Sequence, residues 1–228
     1  MELDLLLSVH GSDKDSQNSY GPLYHALFSR TREQVRLLIE VGIGTLTPNV
    51  HSSMYGHDLP GYAPGASLRA WRQFFSGAVI VGFDTQPDCM FTDERIVTRL
   101  VDSTNLHDVD AVMRALFVTR LVDSTNLHDV DAVMRALFDS TNPRDVDIPV
   151  ADIIIDDGSH DQDDQLQTFV ALYPYLREHG TYIIEDVRYL SLDNLRETIS
   201  VHVAGKATVL VVPFPKAAII VITKRNAR

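Results

Sequence analysis

LLIEVGIG, residues 37–44, is a short, largely apolar run that closes on two glycines. A short run of this kind, bounded by glycine, reads as a strand buried on both faces of a parallel sheet. The acid inside it, Glu40, and the two glycines, Gly42 and Gly44, put polar chemistry at the strand's C-terminal end. Glycines there let a cofactor approach the backbone closely. A third glycine at dinucleotide spacing is absent, since Thr45-Leu46-Thr47 follows, which argues against a nicotinamide oxidoreductase.

Outward from this strand the chain alternates. AVIVGFDT (residues 78–85), RIVTRLVD (95–102), ADIIIDDGSH (151–160) and TYIIEDV (181–187) read as further strands. Helices are expected over residues 67–75 with Ser67 as cap, over 107–117, over 164–180 with Gly180 as the stop, and over 191–203. Residues 207–214 and 217–224 read as a closing hairpin. Seven strands alternating with helices imply an α/β, doubly wound, mostly parallel sheet with a C-terminal antiparallel hairpin. The whole of 1–228 is expected to be one domain, opening with a helical segment over 1–36. The loop over residues 45–67 is long enough to be functional rather than a simple connector.

Composition excludes several classes. A net charge of −11 argues against a nucleic-acid partner, because phosphate binding wants a basic face. No apolar run approaches the roughly 18 residues needed to cross a bilayer, so no membrane partner is expected. The start, MELDLLLSVHGSDKD, has acidic flanks and no cleavage-type ending, unlike a signal peptide. A single cysteine, Cys89, leaves no internal disulfide and suits a cytoplasmic location.

Carboxylates gather where ligands bind in such sheets, at the C-terminal strand ends. Asp84 ends the second strand, where an acid can hydrogen-bond ribose hydroxyls. Asp156-Asp157-Gly158-Ser159-His160 ends one strand and Glu185-Asp186 the next. Strands adjacent in sequence are usually adjacent in space, so Asp157, Glu185 and Asp186 are expected to meet at the sheet rim. Three carboxylates repel unless a cation holds them, and oxygen ligands suit Mg²⁺ or Mn²⁺. His160, one short turn beyond Asp157, is placed to take a proton from a hydroxyl held there. The plainer alternatives stay open: Asp84 as a turn cap, and Asp157 or Ser159 as caps of the following helix.

The segments GSDK (11–14), YGPLY (20–24), LLIEVGIG, GASLRAW (65–71), VGFD (81–84), IIIDDGSH (153–160) and YIIEDV (182–187) occur in this order. In this the chain resembles the class I S-adenosylmethionine-dependent methyltransferases. Within them it is similar to the metal-dependent sugar O-methyltransferases of macrolide biosynthesis, of the mycinamicin and macrocin type. The resemblance implies a Rossmann-like fold, S-adenosylmethionine and Mg²⁺ as cofactors, and a small sugar-containing acceptor. It places Glu40, Gly42 and Gly44 along the methionine end of the cofactor, with Ser67 and Arg69 nearby and Asp84 on the ribose. Lys14 would reach the cofactor's carboxylate, and Asp156 is assigned to the cofactor side. Asp157, Glu185 and Asp186 would hold the metal, with His160 as general base and Asp157 sharing the catalytic assignment. A homo-oligomer is compatible with the resemblance.

One feature stands apart. VTRLVDSTNLHDVDAVMRALF spans residues 97–117 and returns without a single change at 118–138, followed by a partial echo, DSTNPRDVD, at 139–147. The third strand should end in a polar group beside the adenine; Asp102 supplies it in the first copy and Asp123 in the second. A 21-residue duplication after the third strand has two physical solutions: one more edge strand, or an insert that is looped out or partly helical, which loop-closure entropy tolerates. The second is the expectation. The leading functional reading is a Mg²⁺-dependent O-methyltransferase acting on a sugar or polyol hydroxyl of a secondary metabolite or glycan. The alternative is a cofactor-binding protein or assembly partner whose catalysis the duplication has impaired.

Overall fold

The computed structural model describes residues 2–50, 52–57, 62–124 and 151–226, with residues 117–124 described in their backbone only. Eight strands form one sheet: β1 (Leu37–Val41), β2 (Val79–Asp84), β3 (Thr92–Asp93), β4 (Ile96–Leu100), β5 (Ala151–Asp156), β6 (Leu176–Val187), β7 (Ala207–Pro213) and β8 (Ala218–Lys224). Their spatial order is β3-β4-β2-β1-β5-β6-β8-β7. The pairs from β4 through β6 are parallel, β8 runs antiparallel between β6 and β7, and β3 pairs antiparallel with β4. The sheet therefore has one strand more than the seven expected; the addition is the two-residue β3.

Seven helices accompany the sheet among the described residues: α1 (Leu3–Val9), α2 (Asp13–Ser16), α3 (Gly21–Phe28), α4 (Ala66–Phe74), α5 (Leu106–Ser124), α6 (Gln162–Leu172) and α7 (Tyr189–His202). Side chains alternate across a strand, and the core divides accordingly. Ile39, Val41, Ile154 and Ile184 pack with Val109 and Met113 of α5, Phe169 of α6 and Ile199 of α7. Leu38, Ile153, Ile155 and Ile183 face the other way, onto Leu7 of α1, Tyr24 of α3 and Trp71 of α4. The chain leaves β1 toward β2 and β4, then returns on the far side of β1 as β5. The direction of winding thus reverses between β1 and β5, where doubly wound sheets bind ligands.

Three helix boundaries differ from expectation: the start of α4, the end of α6 and the end of α5, which runs to Ser124. Gly65, at φ 79°, caps α4 in place of Ser67. Its N–H donates to the Ile43 carbonyl at 2.8 Å, and a Cβ there would strike the Phe91 ring, so only glycine fits. The helix predicted over residues 164–180 ends at Leu172. Pro174 lacks an N–H and cannot continue it; a single 3-10 turn follows, and Leu176 already pairs with Ala151 in the sheet.

The first copy of the repeat supplies β4, with Val97 beside Val81 and Leu100 beside Asp84. The second copy does not add a strand within the described residues. Its opening letters, Val118 to Ser124, extend α5. The same VTRLVDS is thus strand and loop in one place and helix in the other. Its strand preference is set by neighbours rather than by the backbone, and extending an existing helix is cheaper than starting one. Residues 125–150, which hold the rest of the second copy and the echo, lie outside the described residues.

Candidate active site

The C-terminal ends of β1, β2, β4, β5 and β6 surround an open cavity of about 630 Å³, whose walls include Gly42, Gly44, Asp84, Asp102, Asp157 and His160. The glycine loop is shaped by its neighbours. Gly42 and Gly44 hold φ values of 78° and 83°. A Cβ on Gly42 would collide with the Asp157 carbonyl, and one on Gly44 with the Tyr62 hydroxyl. Asp84 accepts from the N–H of Ile43 at 3.0 Å and of Gln86 at 2.9 Å. It is therefore both the turn cap that the plain reading allowed and a carboxylate on the cavity wall.

Strand alternation decides which carboxylates meet. Glu40, Asp157 and Glu185 continue the face of Leu38, Ile155 and Ile183, toward α2, α3 and α4. All three converge on Lys14, which enters from α2. Its Nζ lies 2.6 Å from Asp157 Oδ2, 2.7 Å from Glu185 Oε2 and 3.2 Å from Glu40 Oε1. Lys14 is thus engaged by three acids of the chain itself, where the resemblance gave it the carboxylate of a cofactor. Burial works against its charge, but Asp157, Glu185 and Glu40 outweigh it and keep the ammonium protonated, well above the ordinary lysine value. Glu40 also accepts from Trp71 Nε1 at 2.8 Å. Glu185 also accepts from the Tyr24 hydroxyl. Glu40 and Glu185 lie beneath the cavity floor, whereas Lys14, Ser67 and Asp157 reach its surface.

Asp186, by alternation, should face away from Asp157. It does not, because its backbone sits at φ 51°, and His160 likewise at φ 59°. Non-glycine residues in this region cost roughly 1–3 kcal/mol each and cluster at functional sites. The two turns bring Asp157, His160 and Asp186 within 4.8 Å of one another, a group able to hold a metal ion. His160 Nε2 lies 3.1 Å from Asp157 Oδ1 and 3.7 Å from Asp186 Oδ2. Burial disfavours the imidazolium, but the Asp157 hydrogen bond and the charges of Asp157 and Asp186 prevail, raising His160 above its usual value. For Asp157 burial pushes upward, and Lys14 and His160 pull it below the usual carboxylate range. Asp156 points to the opposite face, buried, with Oδ1 taking the Gly158 N–H at 3.3 Å and Oδ2 unpartnered. Burial lifts it to about 7.

Of the remaining expected residues, Asp102 stands on the cavity wall and accepts from the Thr104 hydroxyl at 2.6 Å. Asp123 falls on the last turn of α5 rather than at a strand end. Arg69 is turned away: it donates to the Pro64 carbonyl at 2.8 Å and lies 4.4 Å over the Phe91 ring, bracing the loop before α4. Tyr20 and Tyr24 carry no role assigned from the sequence. They cap the two neighbouring acids of β6, Tyr20 donating to Asp186 and Tyr24 to Glu185. Their spacing of four, one helical turn, was the available signal. Tyr62, Gln165 and Lys216 also line the cavity, and nothing in their sequence context marked them.

No protein-family model matches the chain. It is 27% identical, over 179 residues and 78% of its length, to the 8-demethyl-8-alpha-L-rhamnosyl tetracenomycin-C 2'-O-methyltransferase of Streptomyces olivaceus, covering 36% of that protein. It is 27% identical over 168 residues, 74% of its length, to the mycinamicin VI 2''-O-methyltransferase of Micromonospora griseorubida, covering 31% of it. The chain thus spans about a third of the length of these curated relatives. Among solved structures, the MycE methyltransferase of the mycinamycin biosynthetic pathway, in complex with Mg, SAH and mycinamycin VI, superposes on 99% of the chain with a TM-score of 0.68 at 23% identity, over 55% of its own length. The sequence is similar to antibiotic sugar O-methyltransferases, and the fold is that of the class I methyltransferases.

Proposed function

We propose that the protein is a Mg²⁺-dependent S-adenosylmethionine O-methyltransferase acting on a sugar or polyol hydroxyl of a small glycosylated metabolite. The observation that carries this reading is the convergence of Asp157, His160 and Asp186 through two left-handed residues, on the rim of the cavity that Gly42, Gly44 and Asp84 wall. The similarity to sugar O-methyltransferases supports it independently.

The residues fit both groups. Two carboxylates suit a hard divalent cation with positions left open, and the imidazole beside them stays available as a base. Asp157 and Asp186 would hold Mg²⁺, which when bound would orient neighbouring hydroxyls of the acceptor and favour loss of a proton from one. The glycine loop, free of side chains, admits the methionine end of the cofactor. Asp84 offers a carboxylate to the ribose, and Asp102 stands toward the adenine end. His160 takes the proton of the acceptor hydroxyl. S-adenosylmethionine, when bound, would supply the methyl group to that oxygen, its sulfonium becoming a neutral thioether. The sulfonium is already activated, so the protein's work is alignment and desolvation more than acid–base power. Because β4 from Val97 onward and Asp102 come from the first copy of the repeat, the geometry favours the catalytic reading over the impaired one.

Methyl transfer from labelled S-adenosylmethionine to a panel of rhamnosylated and other glycosylated acceptors tests this. Turnover with Mg²⁺, lost in EDTA and reduced about 10²–10⁴-fold in His160→Ala, is the expected result. Cofactor binding without transfer to any glycoside would return the binding-protein reading.

A further inference from the structure

The floor of the cavity holds more negative charge than the metal reading requires, and one positive charge it does not mention. Glu40, Glu185 and Lys14 are each exposed by 1% or less. Every oxygen of Asp157 and Glu185 has a partner: Lys14 and His160 for Asp157, Lys14 and Tyr24 for Glu185. The ammonium sits between two of the three carboxylates that the sequence assigns to the metal. Lys14 is fixed there by its own backbone, on a short helix whose Ser12 cap accepts the Lys14 N–H.

We propose that Lys14 is an internal counter-cation of the active site, holding Asp157 and Glu185 in place while no metal is bound and competing with a divalent cation for them when one arrives. The metal half of this inference rests on the metal-dependent reading above. Ionised carboxylates buried together without a partner would be strongly destabilising; burial raises Glu185 and Glu40 toward their protonated forms and Lys14 pulls both back, so a cation among them is what lets the strand ends pack with these acids charged. A protein-borne ammonium does this at any metal concentration, and the pocket is then assembled before loading. The same charge repels an incoming Mg²⁺ and withholds Glu185 from it. Lys14 is therefore a positioning residue that trades metal affinity for pre-assembly.

The two roles predict opposite effects of one substitution, which a merely structural lysine would not produce. Lys14→Met should melt below wild type in EDTA, gain more in Tm from Mg²⁺ than wild type does, and bind Mg²⁺ by calorimetry about tenfold tighter or more, since a like charge a few ångströms away has gone. Adding Glu185→Gln to Lys14→Met should recover Tm in EDTA by removing the uncompensated acid. Should Lys14→Met not fold, Glu185→Gln compared with the double variant gives the same affinity test in a cluster with one charge fewer. Mg²⁺ binding that is unchanged or weaker without Lys14 overturns the competition, and a double variant that melts no higher than Lys14→Met overturns the counter-cation. If no variant and no wild-type protein binds Mg²⁺ while the Tm recovery is seen, the metal-dependent reading is what fails, and the competition with it.

Discussion

Asp156 and Asp157 are neighbours on one strand, and the sheet sends them to opposite faces with opposite consequences. Asp157 meets Lys14 and His160 and is held ionised; Asp156 meets burial and one N–H, and its carboxyl rises from 3.8 to about 7. A carboxyl whose folded value lies above its unfolded one contributes stability that is complete below the unfolded value and is lost as pH rises through the folded one. In EDTA, therefore, Tm should fall between about pH 4 and pH 7, and a shift of this size corresponds to at most roughly 4 kcal/mol. Asp156→Asn should flatten that fall in a pH series of thermal melts; parallel curves for the two proteins would contradict it. The sequence contained much of this. Period-two alternation already separates Glu185 from Asp186 and joins Glu185 to Glu40 and Asp157. What it lacked was the left-handed backbone at His160 and Asp186, which breaks the alternation; Asp and His enter that region more often than most side chains, but the preference is too weak to place it. The role of Lys14 was hidden for a related reason: its three partners lie 26, 143 and 171 positions away in the chain.

At the scale of elements, the strand ends and the glycine loop work as one piece. Gly42→Ala would place a Cβ on the Asp157 carbonyl at a backbone conformation that side chains resist. It should cost about 1–3 kcal/mol and displace the Asp157 strand end, so that denaturant melts and S-adenosylmethionine affinity both suffer; a variant unaffected in both would show that the loop has slack. The strands were readable because buried parallel strands are continuous apolar runs. The helix expected over residues 164–180 runs too far because Leu176 to Gly180 carries no apolar alternation; Leu176 pairs with Ala151, and the register jumps to Ile153 and Thr181 beyond it. The repeat could not be assigned from its letters, since the two copies are identical and only their surroundings differ. Deleting residues 97–117 or 118–138 yields the same polypeptide, and that polypeptide should keep the fold. The described part of the second copy contributes no strand, and shortening a connection by this much changes loop-closure entropy by well under 1 kcal/mol. Tm within a few degrees of the full chain and cofactor affinity within about threefold are expected; loss of cooperative unfolding would mean that the second copy is structural.

For the whole molecule, the doubly wound order was legible from alternating strands and helices, and the hairpin from two apolar runs around a short turn. The insertion of β8 between β6 and β7 was not, because both orders of a hairpin bury the same residues in sequence terms. The C-terminal ends of β1, β2, β4, β5 and β6 form one cavity, with Asp84 and Asp102 toward one side and Asp157, His160 and Asp186 toward the other. The most direct measurement is a calorimetric titration of S-adenosylmethionine into the purified protein, in Mg²⁺ and in EDTA, with Asp84→Ala alongside. The account predicts one site with a Kd on the order of micromolar, weakened at least about tenfold in Asp84→Ala. No binding in either buffer by a protein that still unfolds cooperatively would contradict it.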